Sequence, residues 1–356
     1  MIYLDNAATS YPKPPCVLRA MTAALETCGA NPGRAGHRLS LAAGRIVEGC
    51  REELAAMLGE QDAARVAFMF NTTDALNAAI HGVLRPLSEL SRSGVITLTL
   101  VPPDAQGRIR AQEIGAAMLK RTRLVVMTHM SNVLGVAQDV AAVGALCARH
   151  GALLLVDCAQ TAGHLPLTPE KWGASMVAIP GHKGLLGPHG TGALWVRRGV
   201  QLAPLRQGGT GSSSESMFQP RMMPDCLESG TLNLPGIAGL RAGLREATAH
   251  RAETHERIVA LCAGLREALL NLRGVRVHTP AGASLVSFNV EGVGSQEVAA
   301  VLDQAGIAVR GGLHCAPGVH RFLGTLAQGA VRVSPGMLST EDEMLAVASR
   351  VSSLTR

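Results

Sequence analysis

Four short segments carry residues whose types and spacing could do chemistry together. Val156-Asp157-Cys158-Ala159-Gln160 puts a carboxylate at the end of a very apolar run. A charge there is costly unless a cation pairs with it, and a protonated pyridine nitrogen is such a cation. Read alone, the segment favours Asp157 as a structural helix cap over that role. Pro180-Gly181-His182-Lys183-Gly184 places a lysine in a Gly-flanked turn after another apolar run. Desolvation there would lower the lysine pKa and make the amine a better nucleophile, whereas an exposed turn lysine would do nothing. An Asp at one strand end and a His-Lys turn at the next suggest a lysine-bound pyridoxal phosphate. Asn71-Thr72-Thr73 opens a helix with hydroxyls and free N–H groups, suited to a phosphate or simply to capping. Val309-Arg310-Gly311-Gly312-Leu313-His314-Cys315-Ala316-Pro317 sets a cysteine beside a histidine on a Gly/Pro-punctuated loop. Cys315 is therefore either a mobile nucleophile or an inert buried thiol, and His314 an assistant or a structural loop residue.

The elements that must position these residues alternate along the chain. Helices are expected over 15–25, 40–58, 72–84, 85–93, 111–119 and 140–150. Strands are expected over 65–70, 95–101, 124–129, 152–157, 175–179 and 193–196. The runs at 124–129 and 152–157 read as fully buried, so the pattern is that of a mostly parallel sheet with helices on both faces. A Gly/Ser/Met/Pro-rich stretch over 207–224 reads as a long functional surface loop. Beyond it come a long helical stretch over 234–272, broken near 247–252, then strands over 275–278, 285–290 and 330–334 and helices over 295–305 and 340–354. That is a small α+β unit. The expected organisation is an arm (1–14), a large cofactor-binding domain (15–235) and a small C-terminal domain (236–356).

Composition narrows the classes. Hydrophobic residues make up 47% of the 356 positions, ample for a sizeable core and against disorder. A net charge of +6, with no block of like charges and only 3% aromatics, argues against a nucleic-acid partner. No apolar run reaches membrane-spanning length, and residues 1–15 lack the basic and apolar regions of a secretion signal, so a cytoplasmic protein is expected. The eight cysteines form no CxxC and no metal-like pairing with histidine. They read as reduced thiols, with no metal site.

The motifs LDNAAT (4–9), NTTDALN (71–77), THMSNVLG (128–135), VDCAQTAGH (156–164), GHKGLLGPHGTG (181–192), ESGTLN (228–233), VRGGLHCAP (309–317) and VRVSPG (331–336) run in order over nearly the whole chain. With them the chain resembles the class V aminotransferase superfamily of fold type I, and within it the second group of cysteine desulfurases. The resemblance implies that Lys183 holds pyridoxal 5'-phosphate covalently, Asp157 pairs with its ring nitrogen and Gln160 with its phenolic oxygen. It places Thr72, Thr73 and His182 on the phosphate, with Gly230 and Thr231 reaching the cofactor of a second subunit in a homodimer. Asn132 and Arg332 would grip the carboxylate of the amino acid substrate, and Cys315 would take its sulfur as a persulfide while alanine leaves. A protected persulfide on so short a loop also implies a sulfur-acceptor protein.

The chain departs from the family's pattern in one large respect. After Leu84 it runs straight into Arg85-Pro86-Leu87, where the family has a further strand ending in a histidine that stacks on the cofactor ring. Segment 95–101 is then expected either to pair directly with 124–129 or to leave a gap in the sheet with unsatisfied backbone groups. His81 belongs to the preceding helix and reads as a packing or surface residue; His129 and Met130 are the candidates to replace the missing wall. Pro180 stands where relatives often carry a hydroxyl, which removes one phosphate contact. The alternatives are a selenocysteine lyase or another class V lyase or aminotransferase, or a catalytically impaired relative kept as a binding or sulfur-carrier protein.

Overall fold

The computed structural model describes residues 1–356 except 34–35, 81–83, 211, 213–215 and 356, with only the backbone of 84–86. A five-stranded sheet carries the larger part of the chain. Its strands are β2 (Val66–Met69), β3 (Leu124–Thr128), β4 (Leu153–Asp157), β5 (Met176–Pro180) and β6 (Gly192–Val196), in the spatial order β2-β6-β5-β4-β3. β3, β4 and β5 run parallel, and β6 is antiparallel to both of its neighbours. Period-two alternation sends Leu154, Val156, Val177, Ile179 and Trp195 into one core and Leu155, Met176, Ala178 and Leu194 into another. Helices α2 (Arg38–Met57), α6 (Val140–His150) and α7 (Leu234–Ala249) cover the first face, and α3 (Thr72–Ile80) covers the second.

The C-terminal part is an antiparallel sheet in the order β10-β11-β8-β7, formed by β7 (Val275–Val277), β8 (Val286–Val290), β10 (Arg310–Gly312) and β11 (Ala330–Val333). It packs on α8 (Arg251–Leu270), α9 (Ser295–Gln304) and α11 (Glu341–Ser352) through Ile258, Leu265, Val298, Phe288, Val331 and Val347. The long stretch 234–272 is thus two helices that break at His250. The N-terminal arm does not run free: β1 (Ile2–Tyr3) pairs with β9 (Ile307–Ala308), and Leu4 is buried in the C-terminal core. A short helix, α10 (Pro317–Leu323), follows the Cys315 turn. The remaining helices are α1 (Pro15–Cys28), α4 (Leu84–Arg92) and α5 (Ala111–Ala117). Among the described residues no helix is long and apolar enough to cross a membrane.

Two expectations fail for one physical reason. Segment 95–101 forms no strand and does not pair with β3; Val95 and Leu100 are 68% and 65% exposed. The backbone N–H groups of Val95 and Ile96 turn back to the Leu90 carbonyl at the end of α4, which ties the segment to that helix. β3 is accordingly an edge strand, only partly buried over Leu124–Val126, although its continuous apolar run is that of a central one. The sequence of β3 keeps the composition of a strand flanked on both sides in a sheet that has lost its next member. His81 lies outside the described residues.

Candidate active site

The C-terminal ends of β4 and β5 converge, as ligand sites do in open α/β sheets. β4 delivers Asp157, whose carboxylate accepts the Ala159 N–H at 2.8 Å. Burial raises its pKa, opposed by that hydrogen bond and by the positive charge of Lys183. β5 ends at Pro180, which is buried and offers no donor. It leads into the turn that carries His182 and Lys183. Burial lowers the Lys183 pKa and Asp157 opposes it. The turn is closely packed: Gly163 has φ +84°, and a Cβ there would lie 2.1 Å from the Gly184 carbonyl oxygen. Only glycine lets the turn after β4 lie against the lysine turn.

The arm closes over this turn. The His182 carbonyl accepts from Thr9 Oγ1 (3.0 Å), the Ser10 N–H (3.1 Å) and Lys13 Nζ (2.8 Å). Burial pushes Lys13 down to about 8 and His182 to about 4. Two clefts meet at Lys183. One is lined by Ala159, Gln160 and Met130, and both by Asn6 and His164. The Gln160 amide donates to the Ala7 carbonyl at 3.2 Å. At the same end of the sheet, across β6 from Pro180, α3 starts where the Asn71 side chain accepts the Asp74 N–H (2.9 Å); Thr72 is buried and Thr73 exposed.

Arg332 on β11 is 1% exposed. Its Nη2 donates to Asp5 Oδ1 at 2.7 Å and its Nη1 to the Asn132 carbonyl at 3.2 Å, while Nε is buried with no hydrogen-bond partner. A buried guanidinium with one orphan N–H is prepared for a carboxylate. The Asn132 amide donates to the His314 carbonyl at 2.6 Å, so the Arg332 site touches the Cys315 loop directly. His314 and Cys315 both adopt positive φ, +51° and +57°. Cys315 is the exposed cysteine of the eight, and Arg310 Nη2 lies 3.9 Å from its Sγ. Its charge bears on both Lys183 and Arg332, opposing the downward shift that burial imposes on each.

Gly230 and Thr231 lie apart from Lys183, on a segment pinned to the outer edge of β2. Glu228 accepts from Arg51 Nη1 (2.6 Å) and Nη2 (3.0 Å) and from the Phe68 N–H (2.6 Å). The pair is buried, and the guanidinium lies over the Phe68 ring.

The donor set fits pyridoxal phosphate. A buried carboxylate at the end of β4, a desolvated lysine in the turn after β5 and the clefts at that lysine suit its ring nitrogen and its aldehyde. The expected replacement wall does not form from His129: its ring is buried against Trp172 (centroids 4.6 Å apart), with Nδ1 3.0 Å from Thr161 Oγ1. Met130 does line a cleft, with its sulfur accepting from Ser284 Oγ. Sequence reasoning gave no role to Asp5, Lys13 or His164; Asp5 and His164 sat in quoted motifs, and Lys13 in the Pro-flanked end of the arm.

The sequence profile of the Aminotransferase class-V family matches residues 2–92 and 80–347. The chain belongs to that family. The two stretches of the match overlap over residues 80–92. A probable cysteine desulfurase of Methanothermobacter thermautotrophicus is 33% identical over 96% of this chain and 92% of its own length. One from Pseudomonas aeruginosa is 34% identical over 97% and 91%. These alignments are longer than the 356-residue chain, so both relatives carry positions with no counterpart here. Among solved structures, the apo cysteine desulfurase of Thermococcus onnurineus NA1 superposes with a TM-score of 0.92 at 30% identity, over 99% of this chain and 94% of that one. The cysteine desulfurase CsdA of Escherichia coli gives 0.88 at 26% identity, over 99% and 94%. Fold type I with a mostly parallel sheet is thereby established for this chain.

Proposed function

We propose that the protein is a pyridoxal-phosphate-dependent cysteine desulfurase that converts L-cysteine to L-alanine and takes the sulfur on Cys315. The observation that carries the reading is the link from the buried Arg332, with its orphan Nε, through Asn132 to the turn that presents the exposed Cys315 thiol. The cofactor, when bound, supplies an electron sink for the substrate's α-carbon. Lys183 and Asp157 would hold it, with Gln160 on its phenolic oxygen and Thr72, Thr73 and His182 on its phosphate.

The chain's own residues do the rest. Arg332 and Asn132 orient the substrate carboxylate. Lys183, once released, is the amine that takes and returns the α-proton; its depressed pKa suits it to that exchange near neutral pH. Cys315 attacks as the thiolate, the nucleophilic form of a thiol. Its S–S bond forms as the substrate's C–S bond breaks, and the electron pair of that bond passes to carbon, which is protonated. Cysteine and a thiol thus become alanine and a persulfide with atoms and electrons balanced. A homodimer with Gly230 and Thr231 turned toward the partner's cofactor, a reducing cytoplasmic setting and a protein acceptor for the persulfide complete the reading.

The test is alanine formation from L-cysteine by purified protein supplied with pyridoxal phosphate. Cys315→Ala is expected to abolish it while the visible absorbance of the bound cofactor persists. Unchanged alanine formation in that variant removes Cys315 from the reaction. The edge position of β3 and the commitment of His129 to the core favour a second reading, an impaired relative. Protein that stays colourless with added cofactor supports that one.

A further inference from the structure

The turn that presents Cys315 is held from below by a chain of neutral side chains that the proposed reaction does not use. His314 Nε2 lies 3.1 Å from the Arg310 carbonyl oxygen. A carbonyl only accepts, so Nε2 carries the proton and Nδ1 is bare. His320 Nε2, 3.3 Å from that Nδ1, must therefore be the donor, which leaves His320 Nδ1 bare. Thr325 Oγ1, 2.8 Å away, donates to it. Every proton in the series has one possible place. The two rings lie nearly parallel, 5.5 Å apart at 26°, and His314, His320 and Thr325 are all buried. Both nitrogens of His314 are occupied, so it is not a proton carrier for its neighbour.

The strain is at the other end of this series. His314 and Cys315 sit in the left-handed region, which side-chain-bearing residues adopt only when held there. From above, the hold is the Asn132 amide on the His314 carbonyl. From below, it is the imidazole series. The Thr325 backbone closes the framework: its N–H donates to the His320 carbonyl (2.8 Å) and its carbonyl accepts the Gly329 N–H (2.7 Å) just before β11.

We propose that His320 and Thr325 are positioning residues for Cys315: through His314 they lock the 310–316 turn so that Sγ stays beside Arg310. The assignment rests on the desulfurase reading for its kinetic consequence, but not for its structural one. The test compares Thr325→Val, which removes the hydroxyl at nearly constant shape, with Thr325→Ser, which keeps it. Two quantities are read on protein carrying pyridoxal phosphate. One is the rate of Cys315 alkylation by iodoacetamide, followed by peptide mapping; the other is the kcat and KM for L-cysteine.

Thr325→Val is expected to slow both alkylation and kcat by about fivefold, the weight of one neutral hydrogen bond, with KM and cofactor absorbance unchanged. Thr325→Ser is expected to restore both. Alkylation and kcat within about twofold of the parent in Thr325→Val, about half a kcal/mol, overturn the proposal. So does a Thr325→Ser variant as slow as Thr325→Val, because the loss is then one of packing. If the parent makes no alanine, the desulfurase reading fails, and the alkylation rates alone decide the positioning role.

Discussion

Replacing Arg332 by lysine isolates the substrate-carboxylate site. The arginine presents three kinds of contact from a buried position: Nη2 to Asp5, Nη1 to the Asn132 carbonyl, and the orphan Nε. A lysine can keep the ion pair with Asp5 but has no planar fork, so it offers a bound carboxylate one contact where arginine offers two. The loss is one charge-assisted hydrogen bond, about 1.5–3 kcal/mol, which raises KM for L-cysteine about 10- to 150-fold. The assay is initial-rate alanine formation against L-cysteine at saturating pyridoxal phosphate, with visible absorbance as the control for the cofactor. A KM change below about threefold, less than 1 kcal/mol, refutes the assignment. A rise in KM that tracks a loss of absorbance also refutes it, because Arg332 would then be supporting the cofactor and not the substrate.

Three further outcomes follow from the same geometry. Glu228→Gln leaves the buried Arg51 charge with only the exposed carboxylate of Glu48 beside its Nε, so urea unfolding should show a loss of about 3 kcal/mol; a loss under about 1 kcal/mol contradicts the role given to the pair. Asp157→Asn removes the charge opposite the ring nitrogen and should weaken pyridoxal phosphate binding about 10- to 150-fold in a visible titration, with affinity unchanged as the contrary result. His129, His164, His182 and His314 are each pushed down to about 4 by burial. The unfolded chain therefore binds more protons between its ordinary histidine pKa near 6.5 and about 4, and stability falls as pH drops through that window. Each histidine contributes at most about 1.4 kcal/mol per pH unit, and a urea midpoint that is flat from neutral pH to about 4.5 would contradict this.

The parts of the site that were legible in the sequence are those made by consecutive residues. Asp157 ends an apolar strand and Lys183 follows one in the next turn, and period and polarity change together there. The helix break at His250 was legible for the same reason. What depends on pairing across the chain was not. Asp5 meets Arg332 across more than three hundred residues, and no local pattern announces that the arm folds back beside β9. Lys13 stands between two prolines with no local signal, yet it donates to the His182 carbonyl. The 95–101 and β3 errors share a cause. An apolar run reports the environment a segment was built for, and β3 still has the composition of a flanked strand although the neighbour is gone. His320 carried no signal beyond being another histidine, because its meaning lies in the proton order of a three-residue series.

The central claim is that Lys183 holds the cofactor although the family's stacking wall is missing. The sequence has only four lysines, at 13, 120, 171 and 183, which makes a direct assignment practical. Borohydride reduction of the protein with pyridoxal phosphate fixes the cofactor to whichever amine it has condensed with, and peptide mapping locates it. The account predicts the label on Lys183. A label on Lys13, the other lysine with a depressed pKa near the cleft, or no label at all, contradicts it.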